Sequence, residues 1–150
     1  KDEYPNLLGT EEARLVAEHT YDTCQYLMLL SASGKLNRDF KKGLGKVAYH
    51  FPCHLRNQFM GDPSAQLLGL VPGTQVTVIE QCSAHDGTWS MKKQYFELSM
   101  KIGDKLFKGI KESEPDLAVT DCPLAAIQIE QGTGMRPVHP LQAIQEAYGT

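Results

Sequence analysis

No run in this chain is long or apolar enough to cross a bilayer. The longest nearly apolar stretch, Tyr26 to Leu30, falls far short of the roughly 20 residues a spanning helix needs. No signal-peptide pattern opens the sequence. Nor is there an excess of one charge: a net charge of −3 over 150 residues gives no electrostatic case for nucleic acid or an anionic membrane surface. A Walker-type phosphate loop, His-Glu-x-x-His and Gly-x-Ser-x-Gly are all missing. Gly132-Thr133-Gly134 lacks the Gly-x-Gly-x-x-Gly spacing after a strand that a dinucleotide requires, and reads as a helix stop and turn. Repeats, low-complexity stretches and a second domain boundary are likewise absent. The chain begins Lys1-Asp2-Glu3 without methionine, so the expectation is a single domain, 1–150, that is a fragment or a processed form of a larger protein.

What is present fits one soluble globular domain, with 41% hydrophobic and 22% charged residues. Thr10 to Ser33 reads as one long helix, with Ala13, Val16, Ala17, Cys24, Leu27 and Met28 on one face, Thr10 as cap and Gly34 as stop. Asp62-Pro63 starts a short helix to about Val71. Trp89 to Lys111 carries the stripe Met91, Tyr95, Leu98, Ile102, Leu106 and Ile110, close to a 3.6-residue period, and Trp89 reads as a core anchor. Leu124 to Gln131 and Pro140 to Tyr148 complete the helices. Strands are expected at Lys46–Phe51, Gln75–Glu80 and Leu117–Asp121, with Arg136–His139 as a short edge strand. This alternation predicts an α/β fold: an open, mostly parallel sheet of about four strands with helices on both faces.

Four cysteines, in a chain without secretory features, favour metal or redox use over a disulfide framework. Three of them, Cys53, Cys82 and Cys122, follow the ends of predicted strands. The carboxyl ends of parallel strands open into the crevice where ligands bind, so these distant thiols are expected to meet there. Cys122 precedes Pro123 at a helix start, a position that favours a thiolate. Pro52 breaks the first strand and presents Cys53 from a turn, while Cys82 opens a glycine-containing loop. Cys24 fits the apolar stripe of the first helix, with no strand end nearby, and reads as core.

Three thiolates are one ligand short of tetrahedral zinc or of a fully cysteine-ligated cluster. His54, His85 and His139 sit near the same strand ends as candidate metal ligands. His85 ranks first, because Cys82-x-x-His85 lets both side chains face one ion. His50, inside a strand, and His19, on the first helix, receive no role. Asp86 and Asp121 neighbour the cysteines, but read more simply as a loop turn and a helix cap. Metal-free thiol–disulfide exchange at Cys122 ranks last, since no Cys-x-x-Cys partner is near.

Taken together, Tyr49-His50-Phe51-Pro52-Cys53-His54-Leu55-Arg56, Cys82-Ser83-Ala84-His85-Asp86-Gly87-Thr88-Trp89, Thr120-Asp121-Cys122-Pro123-Leu124-Ala125-Ala126 and the segment from Gln131 to Pro140 resemble the cysteine-rich "CCG" domain. That domain occurs in the B subunit of heterodisulfide reductase and in the C subunit of anaerobic glycerol-3-phosphate dehydrogenase. The likeness covers nearly the whole chain, and is greatest to the second such domain of the glycerol-3-phosphate dehydrogenase type. It implies an α/β domain that carries an iron–sulfur centre and passes electrons. The family pattern is one cysteine, a later Cys-Cys pair, then Cys-x-x-Cys. Cys53, Cys82 and Cys122 match three of the five thiols, whereas Ser83 and Ala125 occupy the other two positions. The departure argues against the five-thiolate non-cubane cluster of heterodisulfide reductase. It leaves a three-thiolate site with a histidine, a partner-domain residue or water as fourth ligand.

The resemblance therefore implies an electron-transfer module, the C-terminal cysteine-rich domain of an iron–sulfur oxidoreductase subunit, rather than a complete enzyme. Its cofactor would be an iron–sulfur cluster, with [4Fe–4S] as one candidate type, or else a zinc or iron ion. Implied partners are the preceding cysteine-rich and ferredoxin-like domains of the parent protein, and a flavoprotein or quinone-linked or thiol/disulfide redox partner. Nucleic acid and a direct membrane span are not expected. A cytoplasmic location, peripheral to the inner membrane through partners, goes with the same resemblance. The alternative is a degenerate structural or zinc-binding docking domain without redox activity.

Overall fold

A computed structural model describes residues 1–85 and 87–150. Three parallel strands form its sheet in the order β2-β1-β3: β1 (Gly45–His50), β2 (Thr74–Ile79) and β3 (Leu117–Thr120). The central strand ends level with both neighbours, His50 pairing with Ile79 on one side and Thr120 on the other. The expected fourth strand shrinks to a single parallel bridge, Val138 to Val119. Val138 donates its N–H to Ala118 O and accepts from Thr120 N–H, but Pro137 and Pro140 have no N–H to extend the ladder.

Side-chain alternation divides the core in two. Val47, Tyr49 and Val119 point to one face and pack with Cys24, Leu67, Leu68 and Ile144. These belong to α3 (Thr23–Ala32), α5 (Pro63–Gly69) and α8 (Pro140–Tyr148). Ala48 and Ile79 belong to the second core, with Leu106, Phe107 and Ile110 of α6 (Phe96–Glu112) and Ala125 and Ile129 of α7 (Pro123–Thr133). The chain steps from β1 to β2 by way of α4 (Cys53–Arg56) and α5, then back past β1 to β3 by way of α6. Right-handed crossovers in opposite directions put their helices on opposite faces. That reversal leaves a crevice beyond the carboxyl ends of the strands.

Three helical expectations are corrected. The stretch Thr10 to Ser33 is two helices, α2 (Glu11–Glu18) and α3, preceded by an unforeseen α1 (Glu3–Leu8). His19 Nδ1 and Thr20 Oγ1 bond the carbonyls of Leu15 and Val16, which ends α2. Asp22 then accepts from the N–H groups of Cys24 and Gln25 and starts α3 anew. Helix α6 begins at Phe96, after a short 3-10 turn at Lys93–Tyr95, not at Trp89. Its buried face runs through Ser99, Gly103, Leu106, Phe107 and Ile110, so Leu98 and Ile102 of the predicted stripe are exposed. Helix α7 passes through Gly132 and stops at Gly134, which adopts φ 79°. Gly132 serves packing: a Cβ there would lie 2.4 Å from the Phe107 ring.

Candidate functional site

Each of the three strand-end cysteines starts from a different local structure. Pro52 follows β1 and has no N–H to continue the ladder, so Cys53 becomes the first residue of the one-turn helix α4. Cys82 lies in the irregular segment after β2. Cys122 is the N-cap residue of α7, with Pro123 at the first helical position. All three line one small cleft beyond the carboxyl ends of the sheet. Cys53 and Cys82 are exposed and Cys122 is half-buried. Ser83 and Ala125 line the same cleft, as do His54 and His85.

His139 does not. Its Nδ1 accepts the Leu141 N–H at 3.2 Å, capping α8, and its ring faces a separate groove beside Arg136. The proline-bounded segment that carries it makes one bridge to β3 and then turns into α8. Asp86 lies outside the described residues. Among the described residues, Asp121 caps no helix: its carboxylate accepts the Tyr49 hydroxyl at 2.6 Å and the Ser64 hydroxyl at 2.7 Å, tying β3 to β1 and α5. Burial, with its own hydrogen bond to the Asp121 carboxylate and that group's charge, pushes the Tyr49 phenol well above its usual range.

Cys24 is buried as expected, but a strand end is closer than the sequence suggests. Ser64 lies against its thiol, and the Asp121 carboxylate is near enough to act on it. Burial is the main cause that pushes this thiol up to about 11. Such a group stays protonated and packs as a small hydrophobe.

The Cys82 segment is held from several sides. Ala84 donates its N–H to Cys82 Sγ at 3.3 Å while adopting φ 57°, a left-handed conformation unusual for a residue with a side chain. Its carbonyl accepts the Ser99 hydroxyl at 2.7 Å, and Ser99 Oγ in turn accepts from Gln128 Nε2 at 2.7 Å. Strain at Ala84 is thus held by buried hydrogen bonds from α6 and α7. Gly103 keeps α6 close enough that a Cβ there would lie 3.1 Å from Ser83 O.

Sequence reasoning passed over His50, which the structure places on the cleft floor, 2% exposed, bonded to Thr120 and to Gln81 O. Strand alternation was the available signal, since it puts His50 on the Ala48 face at the strand's carboxyl end. Arg56 also lines the cleft and supplies positive charge beside the thiols, with an exposed ion pair to Glu80 at 3.6 Å.

The donor set suits an iron–sulfur group. Sulfur ligands select such clusters, zinc or other soft metals. Among the described residues, the buried His85 Nδ1 in the cleft wall has no hydrogen-bond partner, leaving a lone pair or proton that a ligand would satisfy. The cleft volume, about 50 Å³, is too small to enclose a flavin or a nucleotide. Among the described residues, no three His, Cys, Asp or Glu side chains converge on one ion-sized point.

The relatives are oxidoreductase subunits by name. The chain is 35% identical to the C subunit of anaerobic glycerol-3-phosphate dehydrogenase from Escherichia coli strain K12, over 98% of its own length and 37% of the relative's. It is 27% identical to the B subunit of fumarate reductase (CoM/CoB) from Methanothermobacter marburgensis, over 69% of its length and 23% of the relative's. The chain thus spans well under half the length of these relatives. No solved structure matches. Residues 47–130 match the cysteine-rich domain CCG and contain all three strand-end cysteines, and the chain belongs to that family.

Proposed function

We propose that this domain holds an iron–sulfur cluster on Cys53, Cys82 and Cys122, and that it passes electrons within an oxidoreductase. One observation carries the proposal: thiols from three adjacent strands line one cleft, together with Ser83 and Ala125, which stand where the family has its other two thiols. His85, with its orphaned Nδ1, is the proposed fourth ligand, and His54 is the reserve. His139 drops out of the ligand set because it caps α8. When bound, the cluster would accept and release single electrons. The chain's own residues fix the ligands in place, set their exposure and add the Arg56 charge.

Electron partners are proposed from the family: the companion cysteine-rich and ferredoxin-like domains of the parent protein, and a flavoprotein, quinone-linked or thiol/disulfide acceptor. The exposed Leu98 and Ile102 of α6 support packing against such a neighbour. Among the described residues, no helix is long and apolar enough to cross a membrane. Cytoplasmic residence, with peripheral attachment to the inner membrane through partners, is part of the proposal.

Ser83 and Ala125 also favour a second reading, a domain that keeps the fold but binds zinc or nothing and serves only for docking. Iron and acid-labile sulfide analysis of anaerobically purified protein separates the two. Stoichiometric iron with sulfide supports the redox reading; zinc without sulfide, or no metal after anaerobic reconstitution, supports the docking domain.

A further inference from the structure

We infer that His50 is a positioning residue whose ring ties the Cys82 segment to the Cys122 segment and fixes the spacing of those two thiols. Its consequence for cluster binding rests on the function proposed above. The tie itself stands on geometry alone. His50 ends the central strand, level with Ile79 of β2 and Thr120 of β3, so one side chain can reach both flanks. Its Nε2 lies 3.1 Å from Gln81 O. A carbonyl only accepts, so Nε2 carries the proton and Nδ1 is the acceptor. The Thr120 hydroxyl lies 2.9 Å from Nδ1 and donates to it. Thr120 Oγ1 in turn accepts the Cys122 N–H at 3.3 Å.

The bonds form one directed chain, from the Cys122 N–H through Thr120 and the imidazole to the carbonyl of Gln81. Gln81 is the residue before Cys82. A directed chain is cooperative and admits one tautomer, and the imidazole is a rigid spacer. Burial, the larger cause, pushes the His50 pKa down to about 4, so the ring stays neutral and Nδ1 stays an acceptor. Fixing a ligand's backbone in this way is what residues behind metal ligands do, and losing them commonly costs about 10–100-fold in affinity.

The test uses metal-free protein with all four cysteines, a short bifunctional thiol reagent and mass spectrometry of the Cys82–Cys122 cross-linked peptide. Thr120→Val keeps the shape but removes the hydroxyl, and should lower the cross-linking rate several-fold. Thr120→Ser should restore it, and His50→Phe should match Thr120→Val. Wild-type cross-linking rates in folded Thr120→Val and His50→Phe would overturn the inference. Should those variants not fold, nitrogen NMR of the wild-type imidazole decides. The Nε2–H tautomer is expected, and an Nδ1–H tautomer would overturn the tie. Iron content of the same proteins keeps the two claims apart. Thr120-dependent cross-linking in a chain that binds no iron upholds the tie and sinks the cluster reading. Thr120-independent cross-linking in an iron-loaded chain does the reverse.

Discussion

The four thiols are chemically unequal, and the inequality is measurable. Cys53 and Cys82 are exposed, Cys122 is half-buried, and Cys24 is buried with its thiol pushed up to about 11. Only thiolates react readily, so iodoacetamide at about pH 8 should label Cys53 and Cys82 of the metal-free protein first, Cys122 more slowly and Cys24 only on unfolding. Peptide mapping over time checks the order, and early labelling of Cys24 would contradict the buried Cys24–Ser64–Asp121 arrangement. His50 gives a pH signature of its own. Its folded pKa, about 4, lies below its ordinary value of 6.5. Its contribution is therefore complete above pH 6.5 and lost as pH falls from there to about 4, where both states are protonated. The full effect is about 3 kcal/mol. Urea unfolding of wild type and His50→Gln should show a stability difference that shrinks over that window; a constant difference would contradict a neutral buried ring. The cysteines were legible because each ends an apolar strand pattern. His50 and Thr120 were not, because a polar residue at a strand end gives no sign of whether it faces water or a buried carbonyl.

At the scale of elements, strands and their parallel pairing followed from alternation and spacing, and the loss of the fourth strand from Pro137 and Pro140. Helix boundaries were harder to read. Asp22 and Thr20 break the first helix through side-chain bonds to the backbone, which an apolar stripe running through both halves conceals. The burial of α6 was misread by about one position, because Ser99 and Gly103 face the core for reasons of hydrogen bonding and close approach, not hydrophobicity. Gly132 makes that point testable. On propensity alone, Gly132→Ala would stabilise α7 by up to about 1 kcal/mol. Contact with the Phe107 ring reverses the sign: the variant should lose about 1–3 kcal/mol, as overpacked cores do. Chemical denaturation measures it, and a stabilised variant would show that Phe107 can move aside. Ser99→Ala should also be costly, by about 1–3 kcal/mol, since it strips the Ala84 carbonyl and the Gln128 amide of a buried partner.

For the molecule as a whole, the sheet brings together residues that lie far apart in sequence, and its reversal of direction after β2 decides which ones meet. Cys53, Cys82, Cys122, Ser83 and Ala125 all reach one cleft, while His139, equally near a strand end in sequence, caps α8 and lines a separate groove. With Ser83 and Ala125 on the cleft wall, the combined variant Ser83→Cys with Ala125→Cys should raise iron bound per chain or alter its electron paramagnetic resonance spectrum. An unchanged iron content and spectrum would place those two positions outside the ligand sphere. The most direct test of the account is iron and acid-labile sulfide per chain, measured after anaerobic reconstitution in wild type and in four single variants. Cys53→Ser, Cys82→Ser and Cys122→Ser should each lose most of their cluster, because a hydroxyl is a far poorer anionic ligand than a thiolate, while Cys24→Ser keeps it. Equal iron and sulfide in all four variants, or none in wild type, would contradict it.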